Sequence, residues 1–211
     1  MEKEEFEKLF NKTLALIGWT EDERGIAVGR IKGRILCFFA EYAALLPGGM
    51  AEVGAWVGGS ARLITEIVPY KILRVFDTFE GIPNVNRALE SDSWEREFKD
   101  PEAYNIAKRI LNGCNVEIYR GIFPETAAKL GSTEYCLVHA DADVYQSTKD
   151  ICEFFYHRLV VGGVIIFDDY GYKKASGCRK AVDEFFKDKI ESPSILTTGQ
   201  AVVIKSYQGA F

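Results

Sequence analysis

From residue 50 onward, short apolar runs rich in β-branched and aromatic residues alternate with segments of helical spacing, and few folds accommodate that order. The runs fall at 50–53, 72–76, 116–119, 135–140 and 164–167, and the helical patterns at 60–67, 101–111, 125–130, 147–158 and 177–187. Strands that alternate with helices pair in parallel, and the helices cross over on the faces of the sheet. The tail departs from this rule. Residues 195–198 and 201–205 flank a turn at Gly199 and Gln200, which reads as a closing hairpin with at least one antiparallel edge. Five runs and two hairpin strands make an α/β fold: a doubly wound, mostly parallel, seven-stranded sheet with a C-terminal antiparallel hairpin.

N-terminal helices occupy residues 1–46, ahead of the first strand. Phe6, Leu9, Phe10, Leu14 and Ile17 share one face of a first helix that Gly18 can end. Thr20 and Glu23 have capping-box spacing and open a second, longer helix towards Leu46, stopped by Pro47, Gly48 and Gly49. Gly25, Gly29 and Gly33 lie four apart along it and give a smooth face. That face suits close packing within the chain, the preferred reading, or contact with a second copy in a homo-oligomer. No linker or repeat divides the 211 residues, so a single domain, 1–211, is expected, with its core in 47–211.

A formal net charge of -5 gives no electrostatic case for a nucleic-acid or membrane-surface partner and leaves small molecules as the ligands. Five widely spaced cysteines, with no C-x-x-C, fit reduced thiols of a cytoplasmic protein rather than a disulfide framework or a zinc site. The start Met1-Glu-Lys-Glu-Glu-Phe6 lacks the pattern of a signal peptide, and no apolar stretch reaches membrane-spanning length.

The chemistry collects just after the strands, where open α/β sheets bind their ligands. The stretch Met50-Ala-Glu-Val-Gly-Ala-Trp-Val-Gly-Gly-Ser-Ala-Arg62 reads as a buried strand, a glycine turn and the start of a helix. Such a turn lets a ligand approach the main chain, and the helix start offers free N–H groups. Asp77 follows the second strand, where a nucleotide-binding fold places the carboxylate that holds ribose hydroxyls; the other reading is a cap on the next turn. Asp141 and Asp143 follow the fourth strand, and Asp168 and Asp169 the fifth. Adjacent carboxylates after an apolar strand need a cation, an arginine or solvent to compensate them. If neighbouring strands bring Asp141 beside Asp168 and Asp169, the three form an all-oxygen set suited to Mg2+ and unsuited to zinc. Caps and solvated turn residues are the alternative, and Asp143 is also placed to cap the helix near Ser147.

Five blocks in order carry a resemblance. They are Glu52-Val-Gly54-x-x-x-Gly58-Gly59-Ser60, Phe76-Asp77-Thr78-Phe79-Glu80-Gly81-Ile-Pro83, Asp141-x-Asp143-x-Tyr145-x-Ser147-Thr148, Gly162-Gly163 ahead of Asp168-Asp169-Tyr170-Gly171, and Gly177-Cys178-Arg179-Lys180-Ala181-Val182. Together they resemble the macrocin O-methyltransferase (TylF/MycF-like) family of class I S-adenosylmethionine-dependent methyltransferases with a magnesium site. The resemblance implies a Rossmann-like fold. It also implies that Glu52, Gly54, Gly58, Gly59 and Ser60 surround the methionine part of S-adenosylmethionine, that Asp77 and Thr78 hold its ribose, and that Gly121 and Phe123 line the adenine edge. Asp141, Asp168 and Asp169 match its metal-ligand positions. Ala142 stands where the family usually has Gly, and the chain before the first strand is short beside sugar-modifying members.

The activity expected on these grounds is an S-adenosylmethionine-dependent, Mg2+-assisted O-methyltransferase acting on a small hydroxylated molecule such as a sugar or another vicinal diol. Asp141 and His139, two apart on a strand end, are the candidate catalytic residues for taking the acceptor proton. Tyr145, Tyr170, Lys173 and Lys174 are candidates to line the acceptor site, whereas Arg179 and Lys180 are expected to pair with carboxylates or face solvent. Two competing readings are a nicotinamide-dependent oxidoreductase, against which the absence of G-x-G-x-x-G speaks, and a non-catalytic cofactor-binding module. Residues 81–99 lack a clear period, and Trp94 and Phe98 make them a candidate lid.

Overall fold

The computed structural model describes residues 1–17, 27–90 and 97–207. In chain order the elements are α1 (Lys3–Ile17), α2 (Gly29–Ala43), β1 (Gly49–Val53), α3 (Gly59–Ile67), β2 (Leu73–Asp77), α4 (Ala103–Ile110) and β3 (Val116–Arg120). A 3-10 helix (Glu125–Leu130) leads to β4 (Tyr135–Ala140), α5 (Tyr145–Phe155) and β5 (Leu159–Phe167). A short 3-10 turn (Lys173–Ala175), α6 (Ser176–Phe186), β6 (Ser194–Ile195) and β7 (Ala201–Ile204) complete the chain. One seven-stranded sheet results, ordered β3-β2-β1-β4-β5-β7-β6. Its strands run parallel from β3 to β5, and β7 is antiparallel to both β5 and β6, as the alternation and the closing hairpin lead one to expect.

Strand residues alternate between two apolar layers, so both faces of the sheet are covered. Met50, Leu73, Val75, Leu137, Val164 and Ile166 pack with α1 to α4. Ala51, Val53, Phe76, Val138, Ile165 and Phe167 pack with α5 and α6. Burying a side chain such as Val75 or Ile165 contributes about 1.5–3 kcal/mol, and the central strands do this on both sides. All five cysteines are free thiols. Among the described residues no helix is long and apolar enough to cross a membrane.

Three boundaries differ from expectation for local reasons. The second helix starts at Gly29, whose φ of +65° cannot continue a right-handed helix from upstream, and it ends at Ala43 rather than near Leu46. The Thr20 and Glu23 capping box lies outside the described residues. β5 starts at Leu159, ahead of its glycines, because Gly162 N–H donates to the Lys205 carbonyl and Lys205 N–H to that of Gly163, extending the ladder. α5 starts at Tyr145, and the carboxylate that receives its first-turn N–H is Glu90 (2.8 Å) from the preceding loop, not Asp143. Of the expected glycine face, Gly33 packs inward against Leu63, Phe10 and Phe6, Gly29 has no neighbouring atom within 4 Å of where a Cβ would sit, and Gly25 lies outside the described residues.

The strand order reverses between β1 and β4, and a crevice opens there at the carboxyl ends. Gly54 sits at its floor with φ +89°. A Cβ at this position would overlap the carbonyl oxygen of Asp141, the first residue after β4. The glycine is therefore required where two strand ends close on each other. Gly54→Ala is expected to lower unfolding free energy by about 3 kcal/mol or more, from left-handed strain and overlap combined. Urea denaturation checks this; an unchanged midpoint means the strand ends part freely.

Candidate active site

A cavity of about 640 Å3 occupies this crevice. Gly54, Gly59, Ser60, Asp77, Thr78, Gly121, Phe123, Asp141, Asp168 and Asp169 all line it, gathered from the ends of five parallel strands. Glu52, Gly58 and His139 do not. Gly58 caps α3 in a left-handed conformation behind the wall, and Glu52 and His139 are completely buried beneath the floor. Ile82 and Phe98, on the described flanks of the candidate lid, line a second side of the cavity, and Phe98 meets Trp56 edge-on at 5.2 Å. Trp94 lies outside the described residues.

Asp77 holds the glycine turn in place. One of its carboxylate oxygens accepts N–H bonds from Ala55 and Trp56, both at 2.7 Å, and the other accepts from Phe79 at 2.6 Å. Burial pushes its carboxyl above the usual range, against the pull of these three amides. A carboxylate has about four lone-pair sites, so three amides leave one for a ligand hydroxyl. Thr78 turns its hydroxyl to the Gly81 carbonyl at 2.7 Å and shapes the loop that follows.

Asp141, Asp168 and Asp169 each offer an oxygen within 4.8 Å of the others. Their proximity follows from register. β4 and β5 are neighbours with Ala140 opposite Phe167, so the residues after them emerge together. Burial and the two other carboxylates push Asp141 well above the usual range. Asp169 rises to about 6, through burial and the charge of Asp168. Burial acts on Asp168 in the same direction, but the nearby His139 and the charge and hydrogen bond of Lys32 override it and hold this carboxyl low.

Asp168 has three protein partners. Lys32 Nζ, from α2, lies 2.7 Å from one oxygen, Gln200 Nε2 donates to the other at 2.8 Å, and His139 Nε2 lies 3.6 Å from that second oxygen. The other ring nitrogen of His139 meets Glu52 at 2.7 Å. These two are register partners on adjacent parallel strands and point to the same face. Burial works against an imidazolium here, yet the carboxylates of Asp168 and Glu52 outweigh it and hold the ring's pKa well above its ordinary value. His139 was expected beside Asp141 as a proton acceptor; its ring lies beneath the floor, outside the cavity lining, between Glu52 and Asp168.

The wider acceptor set changes too. Tyr145 and Tyr170 direct their hydroxyls away, to Glu184 (2.6 Å) and Asp183 (2.5 Å), and Arg179 and Lys180 lie next to the same two carboxylates, as expected. Lys174 and Tyr172 line the cavity, and Lys173 does not. Lys32, Gln200 and Glu90 escaped sequence reasoning. Lys32 looked like one charge on an amphipathic helix, Gln200 like a turn residue, and Glu90 like part of an aperiodic loop.

Nucleotide-type cavity, glycine turn and strand order together define a Rossmann-like methyltransferase fold. The solved structure of the O-methyltransferase NovP superposes with a TM-score of 0.73 over 96% of this chain and 100% of that one, at 21% identity. The chain belongs to the macrocin-O-methyltransferase (TylF) family, whose model matches residues 37–205. A relative from Streptomyces olivaceus, 8-demethyl-8-(2,3-dimethoxy-alpha-L-rhamnosyl)-tetracenomycin-C 4'-O-methyltransferase, is 27% identical over 76% of this chain and 66% of its own length. Demethyldecarbamoylnovobiocin O-methyltransferase from Streptomyces niveus is also 27% identical, over 66% of this chain and 58% of its own. The chain thus spans somewhat under two thirds of the length of these relatives.

The buried pair beneath the floor has a pH-dependent worth. His139 has a raised folded pKa, so the stability it gains from Glu52 is fully present below about pH 6.5 and is lost as pH rises through the folded value. Glu52→Leu is expected to cost about 3 kcal/mol at pH 6 and progressively less in the alkaline range. Denaturant titrations of both proteins across pH test this, and a cost that does not vary with pH contradicts the ion pair.

Proposed function

We propose that the protein is an S-adenosylmethionine-dependent O-methyltransferase, assisted by Mg2+, that acts on a hydroxyl of a small molecule bearing a vicinal diol, such as the sugar of a natural product. The observation that carries this reading is the meeting, in one cavity, of the glycine turn, Asp77 and the three aspartates. Family membership and the O-methyltransferase activities for which the two Streptomyces relatives are named support it.

Gly54, Gly59 and Ser60 would border the methionine part of the methyl donor, with Glu52 and Gly58 shaping that wall from behind. Asp77 and Thr78 would hold the ribose, and Gly121 and Phe123 the adenine edge. The aspartates fit a hard cation. Lys32 and His139 supply two positive charges against the three aspartates, Asp143 and Glu52, and buried Asp169 Oδ2 has no hydrogen-bond partner among the described residues. When bound, Mg2+ would orient a diol and acidify one hydroxyl, and S-adenosylmethionine would supply the methyl group.

Methyl transfer is an in-line displacement, so the walls must fix the acceptor oxygen behind the methyl carbon and exclude competing water. Asp141 is the proposed proton acceptor, because it lines the cavity and its neighbours raise its proton affinity. His139 and Gln200 hold Asp168 in one orientation. Lys174 and Tyr172 stand where an acceptor would enter.

S-adenosylhomocysteine is expected to raise the melting temperature, and NAD to leave it unchanged; a shift with NAD alone would sink the proposal. Mg2+ and protons compete for Asp169 and Asp141, so calorimetry should show Mg2+ affinity rising with pH through about 6 and continuing to rise above it as Asp141 also ionises. Asp168→Asn should weaken Mg2+ by about a hundredfold or more without unfolding, and equal affinity in the variant removes the metal assignment. A methyl-transfer screen over sugars, catechols and other diols, with and without chelator, tests the reaction itself.

A further inference from the structure

The buried face of α2 is accounted for by Gly33, Leu36, Cys37, Ala40 and Ala43. Its outer face is not. Ile31, Phe38 and Leu45 are 73%, 61% and 86% exposed, and they recur every seven residues. Arg34 and Tyr42, also exposed, stand four residues before and four after Phe38. Ala44 keeps helical dihedrals beyond the end of α2, so Leu45 continues the stripe. Isolated exposed apolar residues are ordinary, but a continuous stripe of this kind marks a contact surface.

The order of the stripe identifies its occupant. Read from Phe38, apolar residues (Ile31 and Leu45) lie seven positions either side and a complementary pair, Arg34 and Tyr42, four either side, so an antiparallel copy centred on Phe38 meets a suitable partner at each position. We propose that α2 pairs with the α2 of a second copy of this chain, antiparallel, across a two-fold axis at Phe38. In that arrangement Phe38 meets Phe38, Ile31 meets Leu45 at both ends, and Arg34 lies over Tyr42. The last contact joins a guanidinium to an aromatic face; Glu41 nearby is already paired with the Met1 ammonium of its own chain. Arg34 has no carboxylate partner among the described residues of its own chain. A parallel pairing would instead stack Arg34 on Arg34 and is disfavoured by like charge. Closed two-fold contacts require such self-complementarity, because the same patch serves both sides.

The surface is also preorganised. Phe38 is set edge-on against Phe39 at 5.2 Å, and the inner side of the helix is fixed by its buried residues and by Lys32 on Asp168. Gly29 and Lys32 line the cavity, so the pairing would brace one cavity wall in each copy. None of this depends on the reaction proposed above.

Sedimentation of the full chain at micromolar concentration should give twice the chain mass. Phe38→Glu sets two carboxylates against each other on the axis and should raise the dimer dissociation constant more than about a hundredfold, with an unchanged circular dichroism spectrum. Ile190→Glu, an equally exposed apolar position away from the stripe (71%), should leave the dimer intact. Direction is read by cross-linking: Phe38→Cys should form a disulfide-linked dimer on oxidation, Ile31→Cys alone should not, and a mixture of Ile31→Cys with Leu45→Cys should. A monomeric wild type, a dimer that survives Phe38→Glu, or efficient self-linking of Ile31→Cys overturns the proposal.

Discussion

Three carboxylates emerge side by side from two adjacent strands, and their mutual repulsion in a site shielded from water is the constraint around which the rest is arranged. Like charges this close interact strongly where the effective dielectric is low. The sheet register cannot relax them, since the ladder between β4 and β5 continues to the Asp168 N–H, which donates to the Ala140 carbonyl. Compensation arrives from remote parts of the chain. Lys32 comes from a helix that precedes the sheet, His139 with Glu52 from two central strands, and Gln200 from the turn before the last strand. All three act on Asp168, which therefore stays ionised, while Asp141 and Asp169 carry the raised proton affinities.

That division gives the cavity two chemically different halves. On the β1–β2 side the one strong acidic group, Asp77, is largely consumed by three backbone amides, so the glycine turn is rigid and the wall is close to neutral. On the β4–β5 side, Asp141, Asp143 and Asp169 all have raised proton affinities, so negative charge is concentrated there without a matching set of protein cations. A ligand that spans the crevice would meet hydrogen-bonding, shape-determined walls at one end and an electrostatic sink at the other.

The strand-end carboxylates and the glycine turn were legible in the sequence because each is a local pattern: an apolar run, then the functional residue. The order of the strands follows from the same alternation. What stayed hidden depends on contacts distant in the chain. Lys32 is separated from Asp168 by 136 residues, and nothing near it distinguishes it from a solvated helix charge. Gln200 and Glu90 sit in segments whose spacing carries no period, so their burial and partners appear only once the fold closes. The role of Gly54 was half visible. Its need for a positive φ could be read from the turn, but the overlap with Asp141 requires knowing that β1 and β4 are neighbours.

His139 shows how a residue read correctly onto a strand end can lie beneath the cavity rather than in its wall. Its strand position does aim it at the same face as Asp141, two residues on, as expected of an alternating strand. Yet its two ring nitrogens are directed at Glu52 and Asp168, and its exposure is nil. A proton leaving a bound hydroxyl would have to pass Asp168 to reach it. Protonated and held between two carboxylates, the imidazole has little capacity to accept another proton, whereas Asp141 opens to the cavity. On the function proposed above, proton uptake would fall to Asp141 and carboxylate alignment to His139, two residues apart on one strand end.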